Sequence, residues 1–60
     1  MIKYSKNKPD DRLVDNAKIW AKLTDESYTR VKVRIYEDGE IAFKRQDNGK
    51  EVGITEWCYP

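Results

Sequence analysis

Thr29-Arg30-Val31-Lys32-Val33-Arg34-Ile35-Tyr36-Glu37-Asp38-Gly39-Glu40-Ile41-Ala42-Phe43-Lys44 alternates apolar and polar residues across most of its length, broken by one turn at Gly39. Period-two alternation rich in β-branched residues specifies a half-buried strand, and two such runs joined by a short Gly-containing turn specify a hairpin. If Gly39 takes φ > 0 in a three-residue loop, Tyr36 pairs with Glu40. Ile35 then faces Ile41, and Val33 faces Phe43. A two-residue loop at Asp38-Gly39 would instead set Ile35 against Ala42 and Val33 against Lys44. A slip of one residue turns every side chain to the opposite face, so the apolar pattern selects the longer loop.

The same reasoning extends in both directions. Downstream, Asn48-Gly49 is the preferred pair for a two-residue type I′ turn. That register sets Phe43 opposite Ile54 and Lys44 opposite Gly53. It also sends Thr55, Trp57 and Tyr59 to the outer face with Lys44. Gly53 inside a strand marks a bulge or the close approach of another backbone. Upstream, a loop of Asp25-Glu26-Ser27 sets Ile19 opposite Val33 and Ala21 opposite Val31. Residues 10–24 satisfy two periods. Leu13, Val14, Ala17, Trp20 and Ala21 make a helical stripe, whereas Ala17, Ile19, Ala21 and Leu23 make a strand. The strand leaves only Trp20 off its apolar face and is favoured. The expected fold is small all-β: an antiparallel four-stranded meander with strands near 17–24, 28–36, 40–46 and 50–57. The alternative is α+β, a helix over 10–23 packed on a three-stranded antiparallel sheet.

Sixty residues make one domain. Residues 1–12 are polar and basic and read as a flexible N-terminal arm in which Ile2-Lys3-Tyr4 could add an edge strand; residues 13–60 form the domain. The expected core is Ile19, Ala21, Leu23, Val31, Val33, Ile35, Ile41, Phe43, Val52 and Ile54. Chains with so small a core often add disulfides, a metal or a second subunit. Cys58 is the only cysteine and there is no histidine, which leaves self-association. A homodimer is expected, built on the aromatic C-terminal strand Glu56-Trp57-Cys58-Tyr59. A lone cysteine fits a reducing compartment. Met1 to Lys6 lacks the apolar region of a signal peptide, and no apolar run is long enough to span a membrane. The expected location is the cytoplasm.

Charged residues make up 38% of the chain, yet the net charge is +1. Any electrostatic function must therefore come from segregation of charge. The derived register does segregate it, placing Lys18, Lys22, Arg30, Lys32, Arg34 and Lys44 on the outer face among Trp20, Tyr28, Tyr36, Trp57 and Tyr59. Expected neighbours include Lys18 with Arg34, Lys22 with Arg30, and Lys32 with Lys44, while most acids fall in loops. Like charges directly opposite one another destabilise a sheet. A solvated face of snorkelling Lys and Arg is the plain explanation, and the shortage of acids argues against it. Trp, Tyr and Arg dominate interface hot spots, so a protein partner fits, with Trp20, Arg30, Lys32, Arg34, Tyr36, Lys44 and Trp57 as the contact residues. A nucleic acid stacked on the aromatics is the alternative. Against it stand the loop acids and a pI of about 7.8.

No catalytic constellation is present. General acid–base and nucleophilic chemistry lean on His or an activated Cys. Asp47-Asn48-Gly49 lacks the spacing of a calcium loop, and the three glycines form no phosphate-binding pattern. No enzyme activity, cofactor or metal is expected. The general profile resembles the very small proteins with which phages and mobile elements disable host or defence machinery. The likeness rests on chain length, the charge-rich loop Thr24-Asp25-Glu26-Ser27 and the basic-aromatic strand from Arg30 to Tyr36. It implies stoichiometric occlusion of a protein target in the host cytoplasm, often by a dimer.

Overall fold

The computed structural model describes residues 1–60 as an all-β chain with no helix. The strands are β1 (Ile2–Lys3), β2 (Lys18–Leu23), β3 (Tyr28–Ile35), β4 (Ile41–Arg45), β5 (Glu51–Val52) and β6 (Ile54–Cys58). All pairings are antiparallel, and the sheet order is β1-β6-β2-β3-β4-β5. The helix over 10–23 is absent, because burying Ile19, Ala21 and Leu23 together requires the period of a strand.

The central hairpin has the register that its apolar residues demand. Ile35 faces Ile41, Val33 faces Phe43, and Lys32 faces Lys44. Gly39 adopts φ 88°, and the Tyr36 amide donates to the Glu40 carbonyl at 2.9 Å. An L side chain rarely adopts that φ, which is why glycine occupies the position.

Both flanking turns keep the expected parity and move the register by two residues. The loop between β2 and β3 is Thr24-Asp25-Glu26, closed by the Leu23 amide donating to the Ser27 carbonyl at 2.7 Å. Glu26 takes φ 71°, and the Asp25 carboxylate accepts from the Ser27 amide at 3.0 Å and its hydroxyl at 2.6 Å. Ile19 therefore faces Val31, Lys18 faces Lys32, and Trp20 faces Arg30, in place of the expected Ile19–Val33, Lys18–Arg34 and Lys22–Arg30 pairs. The loop after β4 spans four residues, closed by the Arg45 amide on the Lys50 carbonyl at 2.9 Å. Gly49 has φ 71° but Asn48 does not have positive φ, so the turn is not type I′. Phe43 consequently faces Val52, and not Ile54.

The departure from a simple meander lies at Gly53. β5 ends at Val52 beside β4, and one residue later β6 begins beside β2. The chain thus passes from one end of the strand order toward the other in a single step, which curls the sheet until its ends approach. Gly53 lies against the β2–β3 turn: its carbonyl accepts from the Thr24 amide at 3.3 Å. A Cβ there would sit 3.3 Å from Thr24 Cγ2. The close backbone approach read from this glycine is to the chain's own turn.

A second irregularity follows at once. Leu23 faces Ile54 and Lys22 faces Glu56, so Thr55 is the extra residue of a β-bulge. A bulge shifts the alternation by one residue. Ile54 and Trp57 both turn inward, and Trp57 is fully buried. The expectation of an outward Trp57 is corrected here. Trp57 faces Ala21 on β2 and Ile2 on β1. Because β6 lies between β1 and β2, it has no free edge through which a second copy could pair.

The core cluster is Leu13, Ile19, Ala21, Leu23, Val31, Val33, Phe43, Ile54 and Trp57, with Ile35, Ile41 and Val52 partly buried against it. Leu13 was not expected inside. The N-terminal segment also makes defined contacts. Tyr4 meets Phe43 edge-on at 4.9 Å between ring centroids, and the Tyr4 amide donates to the Thr55 carbonyl at 3.0 Å. Arg12 sits 5.6 Å over the Trp57 ring, and the Tyr59 hydroxyl donates to the Arg12 carbonyl.

Candidate functional site

Strands β2, β3 and β4 position the outer face: β2 and β3 alternate core residues with residues turned away from the core, and β4 adds Lys44 beyond the buried Ala42. The two-residue register shift at the β2–β3 turn has a direct consequence. Lys18, Lys32 and Lys44 stand directly opposite one another across three adjacent strands. Strands lie roughly 4.8 Å apart, so the Cα atoms of the outer two lysines are about 10 Å apart. No carboxylate pairs with any of the three, since the chain's four salt bridges join other residues. Glu51 faces Lys44 in register but does not reach it as an ion pair.

The row lines a shallow concavity of about 370 Å³ that Arg45 at the end of β4 and Gln46 and Gly49 of the β4–β5 turn complete. No apolar side chain lines it. Arg45 is occupied by Asp47, with nitrogen–oxygen distances of 3.0 and 2.9 Å. That pairing holds the Asp47 carboxyl below its ordinary pKa and raises that of Arg45. Another surface concavity mixes signs, drawing on Lys3, Lys22, Glu26 and Glu56.

Beside the lysine row, Trp20 and Arg30 form a cross-strand pair with the guanidinium carbon 5.1 Å over the indole. Arg30 Nε is shut from solvent there without a hydrogen-bond partner. The pair is therefore a preformed planar element with one ring face already covered. Tyr28 and Tyr36 lie at the two ends of β3 and are exposed.

The expected contact residues thus divide into three groups. Trp20, Arg30, Lys32 and Lys44 share the outer face, and Tyr36 lies at its margin. Arg34 is on the face but is already engaged. Its Nη1 donates to Asn16 Oδ1 at 2.9 Å, and its Nε lies 3.7 Å from Asp15. Asp15 also accepts from the Ile35 amide at 2.9 Å, which ties this acid to the end of β3. The expected shortage of acids on the outer face is therefore corrected at Arg34, which has Asp15 beside it. Trp57 belongs to the core, as the Thr55 bulge requires. The residue that sequence reasoning left out of the contact set is Lys18. The register expected from the sequence sets it on the face but opposite Arg34, which hides its alignment with Lys32.

No cluster of three His, Cys, Asp or Glu residues is arranged to hold a metal ion. Cys58 faces Trp20 across β6 and β2 and is half-buried. No helix is long and apolar enough to cross a membrane. Comparison of the chain with protein-family models, with curated proteins and with solved structures finds no match.

Proposed function

We propose that this chain is a non-catalytic binding protein that occludes an acidic surface of a protein target through the Lys18–Lys32–Lys44 row and the adjoining Trp20–Arg30 pair. The observation that carries the reading is the row itself. Directly opposed like charges cost a few tenths to ~1 kcal/mol per pair, and here two such pairs share Lys32, with no ion pair to any of the three lysines. An acidic partner relieves that repulsion on binding. Stoichiometric masking of a host or defence protein, as in the small phage inhibitors that the sequence resembles, is the mode of action that suits such a surface.

The nucleic-acid reading is the second choice for a structural reason. Stacking platforms need free aromatic faces. Trp57 is buried and Trp20 has a face covered by Arg30. Loop acids at Asp25, Glu26, Glu37, Asp38 and Asp47 also oppose a long polyanion. The test is a pull-down from the native cell lysate with and without nuclease treatment, set beside titrations of single- and double-stranded oligonucleotides. A protein partner that survives nuclease supports occlusion. Tight oligonucleotide binding that falls steeply with salt replaces it with the nucleic-acid reading.

The proposal retains a homodimer. With β6 flanked on both sides, a second copy would pair through β5 or β1, the outermost strands. Light scattering at micromolar concentration should give twice the chain mass, and a monomeric mass removes the dimer from the proposal.

A further inference from the structure

We infer that the concavity between the lysine row and the β4–β5 turn is a subsite for one phosphoryl dianion, carried on a phosphorylated side chain of the protein target. The inference rests on the docking reading above and adds the chemistry of its anchor.

Three observations converge on this ligand. Lys18, Lys32 and Lys44 enter one small notch from three different strands, and none has a carboxylate partner. Lys acts as a point charge with three donors and serves well as a phosphate binder. A single carboxylate carries one negative charge, whereas a phosphoryl group carries close to two at neutral pH and three strong acceptor oxygens. The compact group matches three neighbouring lysines lining one concavity better than a carboxylate does. The lining is wholly polar, with Gln46 offering an amide and no apolar side chain to receive a hydrocarbon stem. Asp47 stands beside the notch holding Arg45. It tolerates a compact ligand centred on the lysines and opposes a chain of phosphodiesters running past the turn.

The experiment uses the intact chain with isotope-labelled lysine and observes the ammonium resonances. The probes are a short uncharged peptide bearing one phosphoserine, the same peptide with Glu in its place, inorganic phosphate, and a single-stranded oligonucleotide. The phosphopeptide is expected to shift Lys18, Lys32 and Lys44 together, and to shift Lys3, Lys8 and Lys50 little. Lys32→Gln should abolish the response. The phosphoryl group's second pKa lies near 6, so affinity should fall about fourfold from pH 7.5 to 5.5. The charged groups facing the notch are Lys18, Lys32 and Lys44 from the strands, Arg45 from the end of β4, Asp47 from the turn, and Glu51 across from Lys44. The Glu peptide and a Glu51→Gln variant separate titration of the protein from titration of the ligand.

Equal binding of the Glu and phosphoserine peptides overturns the inference. Tighter binding of inorganic phosphate or of the oligonucleotide overturns it too, by assigning the notch to another source. If the phosphopeptide fails while a protein partner is captured and lost with Lys32→Glu, this inference falls and the docking reading stands. If the phosphopeptide binds while no protein is captured, the notch stands and the docking reading falls.

Discussion

Trp57 and Trp20 show how one residue of backbone irregularity separates two chemically identical side chains. Trp57 is fully buried, and its indole nitrogen has no hydrogen-bond partner; Trp20 is 39% exposed beneath Arg30. Trp57→Ala should cost about 3–5 kcal/mol, as for other large aromatic truncations in a core. Trp20→Ala should cost only about 1 kcal/mol, on the scale of an exposed cation–π contact. Urea unfolding of both variants checks the contrast, and equal costs would refute the burial assignment. A third residue sets the acid behaviour. The Arg12 side chain and amide hydrogen-bond to Asp10 and lower its pKa to about 2. A depressed carboxyl contributes stability that is complete above its unfolded pKa of ~3.9 and is lost as pH falls through the folded value. Between about pH 4 and 2 the chain should therefore lose more stability than an Asp10→Asn variant does. Parallel acid titrations of unfolding would show the difference, and superimposable curves would exclude Asp10 as a source.

At the scale of strands, alternation was enough to place β2, β3 and β4 and to align the Gly39 hairpin residue by residue. It failed where a turn or bulge rewrote the count. The Asp25–Ser27 bonds and the positive φ of Glu26 move the three-residue β2–β3 loop one position toward the N-terminus, in a way that loop composition does not reveal. The β6 bulge did leave a trace, since Thr55-Glu56 puts two polar residues between the apolar Ile54 and Trp57. Strict alternation cannot accommodate that spacing, and reading it as a bulge would have turned Trp57 inward. The lysine row was half legible: Lys32 opposite Lys44 follows from the hairpin, while Lys18 joins them only in the observed register. The row yields its own prediction. Lys32→Glu replaces two repulsive cross-strand pairs with attractive ones, and should stabilise the fold by roughly 0.5–1 kcal/mol. Equilibrium unfolding measures this, and a loss of stability would mean that the lysines do not oppose one another as described.

For the whole molecule, closure at Gly53 explains how so short a chain encloses a core. The same closure leaves one broad outer face on β2–β4, where positive charge accumulates although the net charge is only +1. A surface shaped for stability alone would place acids between Lys18, Lys32 and Lys44, whereas Glu51 and Glu56 lie on the flanking strands β5 and β6 and most other acids lie in loops. On the proposed reading, this face sacrifices stability for a partner. The most direct measurement is quantitative capture from nuclease-treated native lysate by wild type and by Lys32→Glu, with the unfolding free energy of each recorded on the same preparations. A protein retained by wild type should be lost by at least tenfold with Lys32→Glu, although the variant is the more stable of the two. Equal capture by both, or loss of capture accompanied by loss of stability, would contradict it.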